Sequence, residues 1–578
     1  MQTMIDFAAT GASGATAPLR CAFGPPSQTL VAHTQAQVRP LLEAVQALAR
    51  QGRWCVGYLR YEAGAAFDSA LAVHPADGPL AWFGVHDAPL AWPTDETDNM
   101  VRAEWLDGLS RPAFDQGMAD IHRAIAAGEL YQLNYTAPLH AELQGSPRDL
   151  FMALRRAQPG GFAAFIDSGV EQVLSVSPEL FFDWDGEHIL TRPMKGTAPR
   201  GATPERDAAL SAQLLASPKE RAENVMIVDL IRNDLSRVAQ PFSVTVPQLF
   251  RLEPLPSVWQ MTSDVLARTR AGTTLADVFA ALFPCGSITG APKVNAMQMI
   301  KNLEPGPRGV YCGAVGVVRP GGAATFNVAI RTVTVQGKQA RCGIGSGITA
   351  DATAEGEWQE WRHKRAFLER ASQPFELLET LALQDGALRN APDHLARLAV
   401  TAAHFGYPFD RLQVDACLAK LVAAHPEGLW RVRLLLNVRG QVQTEAFAMD
   451  MSPAQVQLTL AATAFEEAGS EFVRFKTTRR AHYDAFAPQV PGVFDTLLWN
   501  PQGELTECTR GNVAVQLDGQ WVTPPLSCGL LDGIGRARYL REGRLVEAVV
   551  RREDLPRATG LAFVNSLRGW IEAVLVCD

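Results

Sequence analysis

Two periodicities alternate along the chain. In FDQGMADIHRAIAAGE (114–129) and KERAENVMIVDLIRND (219–234) apolar residues recur three and four apart, which predicts helices with one buried face. GVYCGAVGVV (309–318) and FNVAIRTVTV (326–335) are short, apolar and rich in β-branched residues, which predicts strands. Such runs alternate from Cys55 to about Leu368, so the fold class expected is α/β (α+β). A helix ending in HKRAFLER then meets ASQP (371–374), where proline disfavours helix in the residue before it. Beyond it FELLETLAL, the turn QDG and HLARLAVTAAHFG begin a new pattern. The boundary is placed near Gln373, giving domains 1–372 and 373–578, each long enough for a core of its own. The small-residue N-terminal stretch is expected to be loose.

Composition narrows the class without naming a chemistry. A chain of 578 residues exceeds one ordinary core, and 47% hydrophobic with 20% charged residues is a soluble globular profile. A net charge of -8 and the lack of a long basic run argue against a nucleic-acid partner. No apolar stretch is long enough to cross a bilayer, and the first twenty residues lack a basic segment ahead of an apolar core. Nine cysteines without CxxC pairs fit a reducing compartment, so the cytoplasm is expected and a membrane is not.

Candidate chemistry gathers in the first domain. Ser217 and Pro218 read as an N-cap followed by proline at the first helical position, just ahead of Glu220 and Glu223. Three residues apart, these carboxylates share a helix face, as do Glu357, Glu360 and Lys364 in EGEWQEWRHKRAFL. Either set alone is a solvated helix face; two carboxylate pairs together suit a hard divalent cation such as magnesium. FPCGSITGAPK (283–293) reads as a glycine-rich loop opening a helix, and GIGSGITAD (343–351) as a glycine-rich turn after a strand. The glycine spacing and the missing GK[ST] ending exclude a Walker loop. Arg331 ends the strand FNVAIR, where it could grip a carboxylate through two parallel N–H bonds. In RPMKGTAPRG (192–201) Lys195 stands between a proline and a run of turn formers; by itself it is a solvated lysine.

Taken in order, SPELFF, RPMKGTAPRG, ERAENVMIVDLIRNDLSRV, FPCGSITGAPK, RGVYCGAVGVV, FNVAIRT and GIGSGITAD followed by EWQEWRHK resemble the chorismate-utilising enzymes, over roughly Cys55 to Leu368. The resemblance implies a large α/β sandwich around the active site. It implies Glu223 and Glu360 as magnesium ligands, with Glu220 and Glu357 as supporting carboxylates. Arg331, Lys364 and the backbone of Gly345, Ser346 and Gly347 would hold substrate carboxylates, with Tyr311 and Thr289 lining the pocket. Members that aminate chorismate at C4 carry PIKGT where this chain has PMKGT, anthranilate synthases carry alanine in place of the lysine, and isochorismate and salicylate synthases carry a lysine that activates water instead. Lys195 is then expected to add at C2 as the C4 hydroxyl leaves, protonated by Glu179 of SPELFF. Ammonia adds at C4 and expels the lysine. This needs a free amine and a protonated carboxyl near neutral pH, so both groups must move from their ordinary pKa values. SVWQMTS departs from the pattern, with Gln260 where many relatives have histidine.

Farther on, FKTTRRAHYDAF (475–486), GELTECTRGNVAV (503–515), TPPLSCGLLDGIGRARYL (523–540) and FVNSLRGW (563–570) resemble the fold-type IV pyridoxal-phosphate enzymes, from about Phe375 onward. That implies pyridoxal 5'-phosphate bound to Lys476, with Glu507 paired to the pyridine nitrogen and the phosphate held by Arg397 and the backbone of Ile534 and Gly535. The domain is shorter than free-standing relatives, and LDGIG has aspartate where proline is common. Joined, the two resemblances imply amination of chorismate to 4-amino-4-deoxychorismate, then loss of pyruvate to give 4-aminobenzoate. The alternatives are an anthranilate or isochorismate synthase fused to an aminotransferase, and a second domain that is a non-catalytic docking or regulatory module. No GxCxGxQ-like elbow occurs, so ammonia is expected from solution or from a separate glutamine amidotransferase subunit.

Overall fold

The uncharged run CVGYL (55–59) lies in the strand Trp54–Leu59. Cys55 and Leu59 enter one core and Val56 and Tyr58 another, so both faces of their sheet are covered and no polar face alternates with the apolar one. The computed structural model describes residues 2–10, 17–93, 101–200, 204–254 and 258–576. The chain divides into two units, Met1–Pro374 and Phe375–Asp578.

The first unit holds two antiparallel sheets, of nine and ten strands. Ile5, Phe162 and Ile166 of the nine-stranded sheet meet Val56, Tyr58 and Val315 of the other in an inner core. Helices Gln35–Arg50, Pro218–Ser236 and Leu275–Leu282 cover the outside of the ten-stranded sheet through residues such as Val38, Ile227 and Phe279. Helices Arg111–Ala126, Pro147–Ala157 and Ala354–Ser372 cover the other through Phe114, Leu150 and Phe367. The result is a layered α/β sandwich. Its helices start where sequence chemistry dictates: the side chains of Ser110, Ser146 and Ser217 each accept an N–H from the first turn, and a proline is the first or second residue of each of these helices.

Several local expectations change. GVYCGAVGVV is strand only over Ala314–Val318; the residues before it turn, with Cys312 at φ 62°. FNVAIRTVTV is two strands in two sheets. Ala324–Val328 belongs to the ten-stranded sheet and Thr332–Gln336 to the nine-stranded one, and the crossing places Arg331 at φ 50°. The apolar pattern runs through because both strands are buried, so the break leaves no mark in the periodicity. GIGSG is not a turn but the end of the strand Gln339–Ile348, in register with Gln132–Glu142. FPCGSITGAPK contains a 3-10 turn, Gly286–Ile288, and a two-residue strand before the helix Lys293–Leu303. The small-residue N-terminal run is flanked by the strands Thr3–Phe7 and Leu19–Phe23, at one side of the nine-stranded sheet. Residues 11–16 of that stretch, and Gly201 of the lysine motif, lie outside the described residues.

The second unit has a four-stranded antiparallel sheet with Leu377–Gln384 and Leu429–Leu436 as its inner strands. Helices Ala391–Phe405 and Arg411–Ala424 pack on it through Leu395, Leu398 and Val414. Its eight-stranded sheet is mixed: Gln455–Leu460 pairs in parallel with both Asp495–Trp499 and Gly569–Leu575. Among the described residues no helix is long and apolar enough to cross a membrane.

Candidate active sites

Lys195 lies on the strand Met194–Pro199, paired with Val258–Arg268 at one end of the ten-stranded sheet. Just before it, Arg192 is fixed by a two-point ion pair to Asp264, at 2.5 and 3.0 Å. The half-buried lysine amine reaches the other sheet at Gly347. A Cβ on residue 347 would sit 2.5 Å from Lys195 Nζ and 2.5 Å from Gln132 Nε2. Gly343, Gly345 and Gly347 are two apart on one strand, so they bare a single face of it where side chains from elsewhere converge. That close approach, rather than any unusual backbone angle, is why glycine is needed.

Glu179 is buried, and Ser287 Oγ donates to its Oε1 at 2.7 Å. Burial pushes its carboxyl up to about 7, against the opposing pull of the Ser287 hydrogen bond and the Lys195 and Lys364 charges. Behind Ser287, the Cys285 sulfur lies 3.2 Å from the hydroxyl.

The four glutamates face one another from the helices Pro218–Ser236 and Ala354–Ser372. Burial raises Glu220, and repulsion from Glu223 and Glu360 adds to it. Burial also raises Glu357, which accepts from the Ser346 hydroxyl and feels the Glu360 charge. Burial pushes Glu360 the same way, but the Lys364 ammonium at 2.6 Å outweighs it and lowers the group. Among the described residues no three His, Cys, Asp or Glu side chains close on one point. The donor set is instead an all-oxygen one, short of a full shell and held in mutual repulsion that a divalent cation would relieve. That suits magnesium, which keeps waters and substrate oxygens in its shell.

Around this cluster lie the cations. Lys364 donates to the Gly345 carbonyl at 3.0 Å besides pairing with Glu360. Arg331 lies 4.9 Å from the Phe367 ring and 3.4 Å from Gln158 Oε1, and no carboxylate pairs with it among the described residues. Burial pushes its guanidinium down to about 10. A half-buried cation that no carboxylate pairs is suited to an anionic ligand. Tyr311 is buried with its ring against Gly343, where a Cβ would come within 2.1 Å. Thr289 is fully buried and spends its hydroxyl on the Cys285 carbonyl at 3.1 Å. Thus Lys195 reaches the glycine face and Tyr311 adjoins it, Glu179 and Glu360 lie within the field of Lys195 and Lys364, and Glu357 is held by Ser346 from the opposite side of that strand. Gln132 joins them at Gly347 without belonging to any of the sequence motifs. It is fully buried with both amide atoms unpartnered among the described residues. A polar residue at an inward position of the strand QLNYTAPLHAE is the signal that marks it.

In the second unit, Lys476 follows the short helix Glu471–Arg474, and its carbonyl accepts from the Leu378 N–H at 3.1 Å. Burial, then the Arg480 and Arg397 charges, pushes the amine down to about 7. Glu507, on the strand Leu505–Cys508, accepts from the Tyr483 hydroxyl at 2.6 Å and the Leu531 N–H at 3.2 Å. Burial pushes it up to about 7. Arg397 makes a two-point pair with buried Glu379 at 2.8 and 2.7 Å, and donates to the Asp532 carbonyl at 2.8 Å. His394, one helical turn away, bridges Glu379 at 2.6 Å and Ser566 at 2.7 Å. Ile534 and Gly535 open the helix Ile534–Arg541, packed so closely that a Cβ at 535 would lie 2.7 Å from the Asn565 carbonyl oxygen. A near-neutral lysine, a buried carboxylate and an arginine beside a helix N-terminus fit pyridoxal 5'-phosphate. Tyr483, His394, Glu379 and Ser566 escape a reading of the sequence, because their partners lie far along the chain.

Residues 90–370 match the family model of chorismate binding enzymes, and residues 376–576 that of amino-transferase class IV. Aminodeoxychorismate synthase component 1 of Klebsiella aerogenes is 43% identical over 281 residues, covering 49% of this chain and 61% of that protein. Anthranilate synthase component 1 of Streptomyces coelicolor is 38% identical over 299 residues, covering 51% and 58%. The chain thus spans about three fifths of the length of these curated relatives. The crystal structure of anthranilate synthase component I from Streptococcus pneumoniae TIGR4 superposes with a TM-score of 0.54 at 22% identity, covering 64% of this chain and 92% of that one. At that identity the likeness speaks for the fold alone.

Proposed function

We propose, from a chain whose residues 90–370 are a chorismate-binding enzyme domain and whose residues 376–576 are a class IV aminotransferase domain, that it makes 4-aminobenzoate from chorismate in two steps. The observation that carries the reading is the Lys195 amine at the bare glycine face, within reach of the field of Glu179. In the first step the Lys195 nitrogen bonds to C2 of chorismate, the two conjugated ring double bonds shift, and the C4–O bond breaks. Glu179 gives its proton to the departing oxygen, so water leaves. Ammonia then bonds to C4, the double bonds shift back, and the C2–N bond breaks to return Lys195. Arg331, Lys364 and the backbone of Gly345 to Gly347 orient the substrate carboxylates, with Tyr311 and Thr289 as walls. Glu223 and Glu360, supported by Glu220 and Glu357, would hold magnesium, whose charge would fix and polarise a substrate carboxylate. The ammonia comes from solution or from a separate glutamine amidotransferase; the "component 1" in the name of the Klebsiella aerogenes relative supports a second subunit.

The second unit takes the aminated product. Arg397, with the N–H groups of Ile534 and Gly535, would hold the phosphate of pyridoxal 5'-phosphate, Lys476 its aldehyde carbon and Glu507 its ring nitrogen. The bound cofactor supplies an electron sink next to the substrate amine. Lys476 takes the proton from C4 of the ring, the C3–O bond breaks, and pyruvate leaves 4-aminobenzoate behind.

Incubating the protein with chorismate, ammonium, magnesium and pyridoxal phosphate, then separating the products, tests the reading. 4-Aminobenzoate and pyruvate in equal amounts are expected. Anthranilate or isochorismate as the end product would overturn the first step, and 4-amino-4-deoxychorismate that goes no further would overturn the second.

A further inference from the structure

We infer that Asn224 and Gln260 form an amide clamp that fixes the backbone beneath Lys195 and so aims its amine; both are positioning residues, not reacting groups. The inference rests on the reading of Lys195 as the nucleophile. The ladder of the strand carrying Lys195 is interrupted at the lysine itself, where the pairing with Val258–Arg268 shifts register between Met194 and Thr197. Gly196 follows at φ 99°, a conformation with little stiffness of its own. A lysine side chain has four rotatable bonds, so its reach is only as well defined as the backbone it starts from.

Two side-chain amides restore what the ladder lacks. Asn224 Nδ2 donates to the Lys195 carbonyl at 3.3 Å, while its Oδ1 accepts from Ser263 Oγ at 2.6 Å. Gln260 Nε2 donates to the Gly196 carbonyl at 2.9 Å, and its Oε1 accepts from Thr197 Oγ1 at 3.1 Å. Asn224 and Ser263 are buried, so that arm of the clamp is shielded from competing water. The carbonyl of the lysine and that of the next residue are thereby tied to two different elements, a helix and a strand. Asn224 also follows Glu223 on the helix Pro218–Ser236, so the clamp couples the lysine to the carboxylate cluster. An amide carries no charge at any working pH, whereas histidine at position 260 would change charge near neutrality.

The test replaces Gln260 by methionine, which keeps the length of the side chain and removes both hydrogen bonds. With ammonium and magnesium supplied, kcat for amination is expected to fall about tenfold or more, with KM for chorismate within about twofold, as for a misaimed nucleophile. Gln260→Glu, which keeps the acceptor for Thr197 but loses the donor to Gly196, should fall alongside it. The melting temperature of each variant, measured in parallel, shows whether the fold is intact. An unchanged kcat in Gln260→Met, or a rise in KM alone, overturns the clamp. Lys195→Ala in the same assay keeps the two claims apart: if it still aminates chorismate, the nucleophile reading itself has failed.

Discussion

Burial moves two groups toward neutrality from opposite sides. It disfavours charge, so the carboxyl of Glu179 rises to about 7 while the ammonium of Lys476 falls to about 7. For Glu179 the sign of a perturbation follows directly. The Ser287 hydroxyl donates to the carboxylate and so favours its ionised form. Ser287→Ala removes that support, and the acid must then stay protonated to higher pH. The alkaline limb of kcat/KM for amination, expected near pH 7, should move upward by up to about one unit as one hydrogen bond is lost. A limb that stays put or moves down would contradict the assignment. The sequence makes Lys195, Glu179 and Lys476 readable because their motifs resist a bland explanation as an ordered set. Asn224 and Ser287 are not readable that way, since an uncharged polar residue in a helix or loop says nothing until its neighbours in space are known; Gln132 is marked by no more than its polar place among the inward residues of its strand.

Helices and strands differ in how openly they were written. The helix Pro218–Ser236 begins at Ser217 and Pro218, where its capping chemistry predicts, because a cap is a local event. The segment FNVAIRTVTV hides a crossing between two sheets, because burial on both sides keeps the apolar run unbroken. GIGSGITAD misleads in the other direction: glycine usually signals a turn, but here three glycines keep one strand face clear. That gives a prediction at the level of the strand. In Gly347→Ala the new methyl would lie 2.5 Å from Lys195 Nζ and Gln132 Nε2, the free ends of flexible side chains. Both can swing aside, so the melting temperature should change little while the amination kcat falls at least tenfold or so. A variant that aminates at the parent rate would mean that Lys195 does not work at this face.

At the level of the whole molecule, the two domains make sense together because the proposed product of one is the proposed substrate of the other. They should nonetheless respond differently to metal. Among the described residues the facing carboxylates on two helices lie in the first unit, so chelating magnesium with EDTA should abolish amination. Supplied 4-amino-4-deoxychorismate should still yield 4-aminobenzoate and pyruvate under the same chelation. Loss of both steps would contradict a metal requirement confined to the first unit. The order of motifs made this two-domain reading legible from sequence, whereas the sheet topology, set by contacts between distant segments, was not. The central claim is that one chain aminates chorismate and then aromatises the product, and Lys476→Ala tests it most directly. Given chorismate, ammonium, magnesium and pyridoxal phosphate, this variant should accumulate 4-amino-4-deoxychorismate while the parent releases 4-aminobenzoate. 4-Aminobenzoate formed by the variant at the parent rate would contradict the account.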